Sequence, residues 1–210
     1  MAASLSGMGQ SHPSGPSEEH HHDALVLFER AGNLYGVGAT LDHLGDMARE
    51  GGDLLRAEEL YGRALSTARK IGAGQQECLA LMHLGVVRVS SGRYGEAWRE
   101  LLLGCRRAER LGQNVLLATM HALCLPCAAD GRRWDAWDFH DYELRRLVAS
   151  IESRDEELAW AVRRGGQLAI EKGDPLRGRR ALALAEELTS PSSASSVAAD
   201  GDDDVESRTG

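Results

Sequence analysis

Lysine is almost missing from this chain. Lys70 and Lys172 stand alone among twenty-two arginines, and the formal net charge is −8. A nucleic-acid footprint needs a basic surplus, and none is present. The arginine clusters at 106–110, 132–133, 163–164 and 177–180 are interleaved with acids such as Glu109 and Asp135, which breaks the single-sign field that steers polyanions. No stretch approaches the roughly 20 apolar residues of a membrane span. The amino-terminal segment has neither a basic start nor an apolar run, so no secretory signal is expected and the expected location is the cytoplasm. Strand-like alternation with β-branched residues is also lacking, which leaves an all-α fold. Neither a G-x-x-x-x-G-K-[ST] loop nor an H-E-x-x-H helix occurs, and no nucleophile–base–acid set emerges. The expectation is a protein that is not an enzyme and uses no cofactor.

Cysteine and histidine offer only weak metal signals. Cys124-Leu125-Pro126-Cys127 has redox-pair spacing, and His121 adds a third potential ligand. A structural zinc site takes four ligands, commonly as two separated pairs, whereas Cys78 and Cys105 are isolated. Both members of the pair are therefore read as small buried hydrophobes. Pro126 should kink its helix by removing a backbone bond. His20-His21-His22 is read as a solvated tract. His43 and His83 each precede a Leu-Gly pair, an equivalence that favours packing over ligation. No metal site is expected.

What the sequence has is recurrence. Leu44-Gly45, Gly52 and Ala57 reappear as Leu84-Gly85, Gly92 and Ala97, 40 residues later. Cys124, Gly131 and Ala136 keep the same offsets, as do Gly166, Gly173 and, less well, Gly178. A bulky residue follows four after the inner small one at Tyr61, Leu101 and Leu182, while the third copy has His140. In residues 40–49, apolar or small side chains fall at 41, 44, 45 and 48, one face of a helix. Gly45 should let two helix backbones approach, Gly52 should form a left-handed cap, and Asp53 should cap the next helix. Units of this kind bury their apolar faces only by stacking on neighbours.

The pattern resembles the tetratricopeptide repeat family, whose helix–turn–helix unit is about 34 residues long. The family's Leu-Gly pair is matched by Leu44-Gly45 and Leu84-Gly85, its inner Ala by Ala57, Ala97 and Ala136, and its aromatic by Tyr61. Leu41, Leu81, Met120 and Val162 stand in place of the first-helix Trp, and the closing Pro is absent. The longer units, about 40 residues by the spacing here, look like those of bacterial signalling proteins found beside serine/threonine kinase or ATPase domains. The resemblance implies a right-handed superhelical array: a half unit at 23–33, then units at 34–73, 74–113, 114–154 and 155–189. Segments 1–22 and 190–210 are expected to be disordered, the second of them acidic.

The same resemblance implies a non-catalytic scaffold that binds a protein or peptide in the groove of its first helices. An alternative is a sensory module that takes a small ligand or peptide and controls a kinase or ATPase partner. The implied groove positions are Asp42, Asp46, Arg49 and Glu50 in unit one, and Met82, Val86, Val89 and Ser90 in unit two. His121, Leu125, Ala128 and Ala129 follow in unit three. Arg163, Gln167, Ile170 and Glu171 follow in unit four, with Trp160 at its mouth. Asp42 and Asp46 would repel a peptide carboxylate, so an apolar or amphipathic helix anchored on Met82 and Val86 is the better fit. Alternatively, a helix of the same chain covers those residues. At the amino-terminal edge, Ala24, Phe28 and Ala31 read as a second helix without its first. One side of Leu25, Val26, Leu27 and Phe28 is expected to lie open, for self-association or for docking.

Overall fold

The computed structural model describes residues 16–151 and 156–190. These are all-α, with nine helices: α1 (Pro16–Arg30), α2 (Leu34–Glu50), α3 (Leu54–Ile71), α4 (Gly74–Ser90), α5 (Tyr94–Arg110), α6 (Asn114–Asp130), α7 (Trp134–Val148), α8 (Glu156–Glu171) and α9 (Pro175–Thr189). The segments expected to be disordered lie outside the described residues, except that 16–22 form the first turns of α1 and Ser190 closes α9. No described helix is long and apolar enough to cross a membrane.

One turn recurs. Left-handed residues stand at Gly32, Gly52, Gly72, Gly92, Gly112 and Arg132, at intervals of 20, and again at Gly173. The next amide closes the preceding helix onto a carbonyl five residues back: Asp53 to Ala48 at 2.8 Å, Arg93 to Arg88 at 2.8 Å and Arg133 to Ala128 at 2.8 Å. This bond satisfies a carbonyl that the helix end leaves unpaired. Asn33, Asp53 and Asp174 then cap α2, α3 and α9 by accepting the amides of Gly36, Arg56 and Arg177, each at 3.0 Å. Equal helices and equal turns are consistent with a helical repeat.

Each helix packs mainly on its sequence neighbour, and the even-numbered helices also touch one another. Close approach is set by small residues. A methyl group at Gly45 would lie 2.5 Å from the Tyr61 ring, and one at Gly85 would lie 2.5 Å from Leu101, so α2–α3 and α4–α5 interlock through the same pair of positions. Helix α6 is buried on all sides from Leu117 to Ala129 and runs through Pro126. A helix apolar all round belongs at the centre of a core. Helix α8 packs on α6 and α9 rather than on α7. Gly165 seats it, because a methyl there would sit 2.8 Å from Leu125 and 3.3 Å from Pro126.

The third pair departs from the sequence frame. Arg132, not Gly131, is the left-handed residue (φ 49°), so the register lies one residue later than Cys124, Gly131 and Ala136 suggested. Counted from that turn, His121 is equivalent to Leu41 and Leu81, Leu125 to Gly45 and Gly85, and Trp137 to Ala57 and Ala97. His121 is thus a core position. Its Nδ1 lies 2.7 Å from Nδ1 of His140 on α7, and the buried pair is bordered by Trp98 and Phe139.

At the amino-terminal edge Leu25 is buried and Phe28 packs over Gly36, while Val26 and Leu27 are 44% and 63% exposed.

Candidate functional site

The inner helices do not touch evenly. Helices α6 and α8 pack closely, α4 and α6 less so, and α2 and α4 barely meet. Small side chains explain the first contact; between α2 and α4 stand large polar ones. His83 of α4 lies between two carboxylates of α2, with Nδ1 2.9 Å from Asp42 Oδ1 and Nε2 3.8 Å from Asp46 Oδ1. The Tyr61 hydroxyl donates to Asp46 at 2.7 Å, and its ring packs 4.8 Å from the imidazole. Arg49 completes the network, 3.9 Å from Asp46 and 3.7 Å from Glu157 on α8.

Charge state follows from this geometry. Burial pulls the His83 pKa down, but the bond to Asp42 and the charges of Asp42, Asp46 and Glu157 outweigh it, so the net shift is upward. An imidazolium clasped by two carboxylates holds α2 to α4 where direct packing is thin. Burial and the bond to Asp46 push the Tyr61 hydroxyl upward, keeping it a donor. Asp42, Asp46 and His83 also offer three ligand atoms within 4.8 Å of one another. This is the donor set among the described residues that could hold a divalent cation. The equivalence of His43 and His83 does not extend to their surroundings: His43 is exposed, with its ring 5.6 Å from that of His21.

Two openings flank the network. Toward the amino ends of α2 and α4, a cavity of about 190 Å³ is lined by Tyr35, Gly38, Asp42, His43, Gln76 and Leu79, among others. Gln76 donates to the Tyr35 carbonyl at 3.1 Å, leaving its own Oε1 buried without a donor. Toward the carboxyl ends lies a cleft of about 610 Å³ between α2, the start of α3, α4 and the first turns of α8. Arg49, Glu50, Leu54, Val86, Ser90, Glu156, Glu157 and Trp160 line it.

The expected groove residues divide accordingly. Arg49, Glu50, Val86, Ser90 and Trp160 come together in the cleft, and Asp42 and Asp46 form the network beside it. Met82, Val89, His121, Leu125, Ala128 and Ala129 do not line an open surface: all are buried in the core. Met82 and Val86, at 5% and 3% exposure, are not free anchors, and helices of the chain itself enclose them. His121 and Leu125 were misplaced by the one-residue register shift. Arg163, Gln167, Ile170 and Glu171 are exposed on α8, away from the residues of the cleft. The residues that sequence reasoning missed are His83, Leu54, Glu156 and Glu157. Only His83 had a signal, an ionisable group recurring on a helix face opposite Asp42.

All four cysteines are free and buried. Burial pushes the Cys127 thiol up to about 12 and Cys124 well above its ordinary value. Reactive cysteines are thiolates, and these two are protonated core residues.

The sequence matches no protein-family description, and no curated protein matches it significantly.

Proposed function

We propose that this protein is a tetratricopeptide-like scaffold, a right-handed array of helix pairs without catalysis, that binds a protein or peptide in bacterial signalling or regulation. The observation that supports binding is the cleft of about 610 Å³, where three inner helices far apart in sequence place Arg49, Val86 and Trp160 on one concavity. Its size lies in the range of ligand sites, roughly 300–1,000 Å³, and its walls mix the part-exposed Leu54 and Trp160 with charged groups. The smaller cavity beside Tyr35 falls below that range, which favours the cleft as the binding site. The turn repeated every 20 residues supports the array.

A blocking variant tests the reading. Ser90 is exposed at the end of α4 and lines the cleft, so Ser90→Trp should fill it without disturbing the core. Peptides selected on the intact chain from a random display library should lose at least tenfold in affinity for Ser90→Trp. Peptides that bind both proteins equally would refute the assignment.

A further inference from the structure

The chemistry of the cleft specifies more than a peptide. Among the described residues its lining carries one cation, Arg49, against Glu50, Glu156 and Glu157. Arg49 is already engaged by Glu157 and Asp46. Glu50 and Glu156 are exposed and have no ion pair with any described residue. Leu54, Val86 and Trp160 line the same cleft. We propose that the cleft takes an arginine or lysine side chain of a partner peptide, its stem packed on Trp160 and Leu54 and its cationic head held by Glu50 and Glu156.

The alternatives fit less well. A carboxylate or phosphate would enter a net negative lining and be repelled. The acidic run Asp200, Asp202, Asp203, Asp204 and Glu206 carries the wrong charge for such a lining. A purely apolar side chain would cover Trp160 but strip water from two carboxylates without replacing it, a cost that pairing removes. A cation over an indole face adds attraction, and long cationic side chains cover apolar surface with their stems. At longer range, the overall charge of −8 draws basic partners.

The inference rests on the cleft being the peptide site, and one experiment separates the two claims. A random dodecapeptide display library is panned on the full chain, and the enriched peptides are synthesised for titration by fluorescence anisotropy. The expected peptides contain Arg or Lys beside an apolar residue. Replacing that residue by Gln, or the protein's Glu50→Gln with Glu156→Gln, should each weaken binding about tenfold, the scale of 1.4 kcal/mol. The combined change should cost less than the product of the two, as expected of partners in contact. Because both glutamates are exposed, an unchanged melting temperature checks that the variant is folded. Peptides that lack a basic residue yet are blocked by Ser90→Trp would overturn the charge assignment and leave the peptide site standing. A library yielding no peptide sensitive to Ser90→Trp would overturn both.

Discussion

Histidine is the residue type that ties this fold to pH, and its three buried members pull in opposite directions. Burial lowers His121 and His140 to about 4 from an ordinary value of 6.5, Glu143 only partly offsetting the effect at His121. Between about 6.5 and 4 the unfolded chain binds protons that the folded chain refuses, so stability falls as pH drops through that window. His83 is raised, so its contribution is full below 6.5 and is lost as pH rises through the folded value. The melting temperature should therefore decline on both sides of near-neutral pH. Changing His121 to Leu, the residue at the equivalent positions 41 and 81, together with His140→Leu, should flatten the acid limb; His83→Gln should flatten the alkaline limb. Calorimetric scans from pH 4 to 9 check this, and an alkaline limb unchanged in His83→Gln would contradict the clasp. From sequence, His83 read as a packing residue, His121 as a groove residue and His140 as a break in the third unit's pattern. Nothing in one chain's spacing says which imidazole meets a carboxylate and which meets another imidazole.

At the scale of helices, glycine position decides the outcome of substitution. A side chain at Gly85 would run into Leu101, and overpacking of this kind costs about 1–3 kcal/mol or more. Gly62, inside α3, has open space around it, so Gly62→Ala should stabilise by about 0.5–1 kcal/mol through helix propensity. Urea denaturation of the two variants gives opposite signs if the close approach is real; equal effects would contradict it. The Leu-Gly recurrence made this interlock legible, because the backbones can meet only where the side chain is absent. The α2–α3 and α4–α5 contacts were readable for that reason. The third pair was misread because Gly131 looked like the left-handed cap and Arg132 takes that conformation instead. Arginine there costs some backbone strain, and no composition rule signals it. That single residue moved His121 from an expected groove into the core.

For the molecule as a whole, the position of α8 matters most. Sequence spacing could not reveal that α8 would leave α7 and lie on α6, since the small residues permitting it, Gly165 against Leu125 and Pro126, are read only in three dimensions. This placement brings Trp160, Glu156 and Glu157 to the ends of α2 and α4 and creates the cleft. Gly165→Leu should pry α8 away, lowering stability by roughly 1–3 kcal/mol and weakening peptide binding with it. A variant that melts lower yet binds normally would argue that α8 does not shape the site. The central claim is that the ends of α2, α4 and α8 receive a peptide. Nuclear magnetic resonance of the isotopically labelled chain, titrated with a library-selected peptide, tests it most directly. The expected result is that amide signals of Arg49, Glu50, Ser90 and Glu156 and the indole signal of Trp160 shift together and saturate. Shifts confined to the exposed faces of α1, α7 or α9, with the Trp160 indole unmoved, would contradict it.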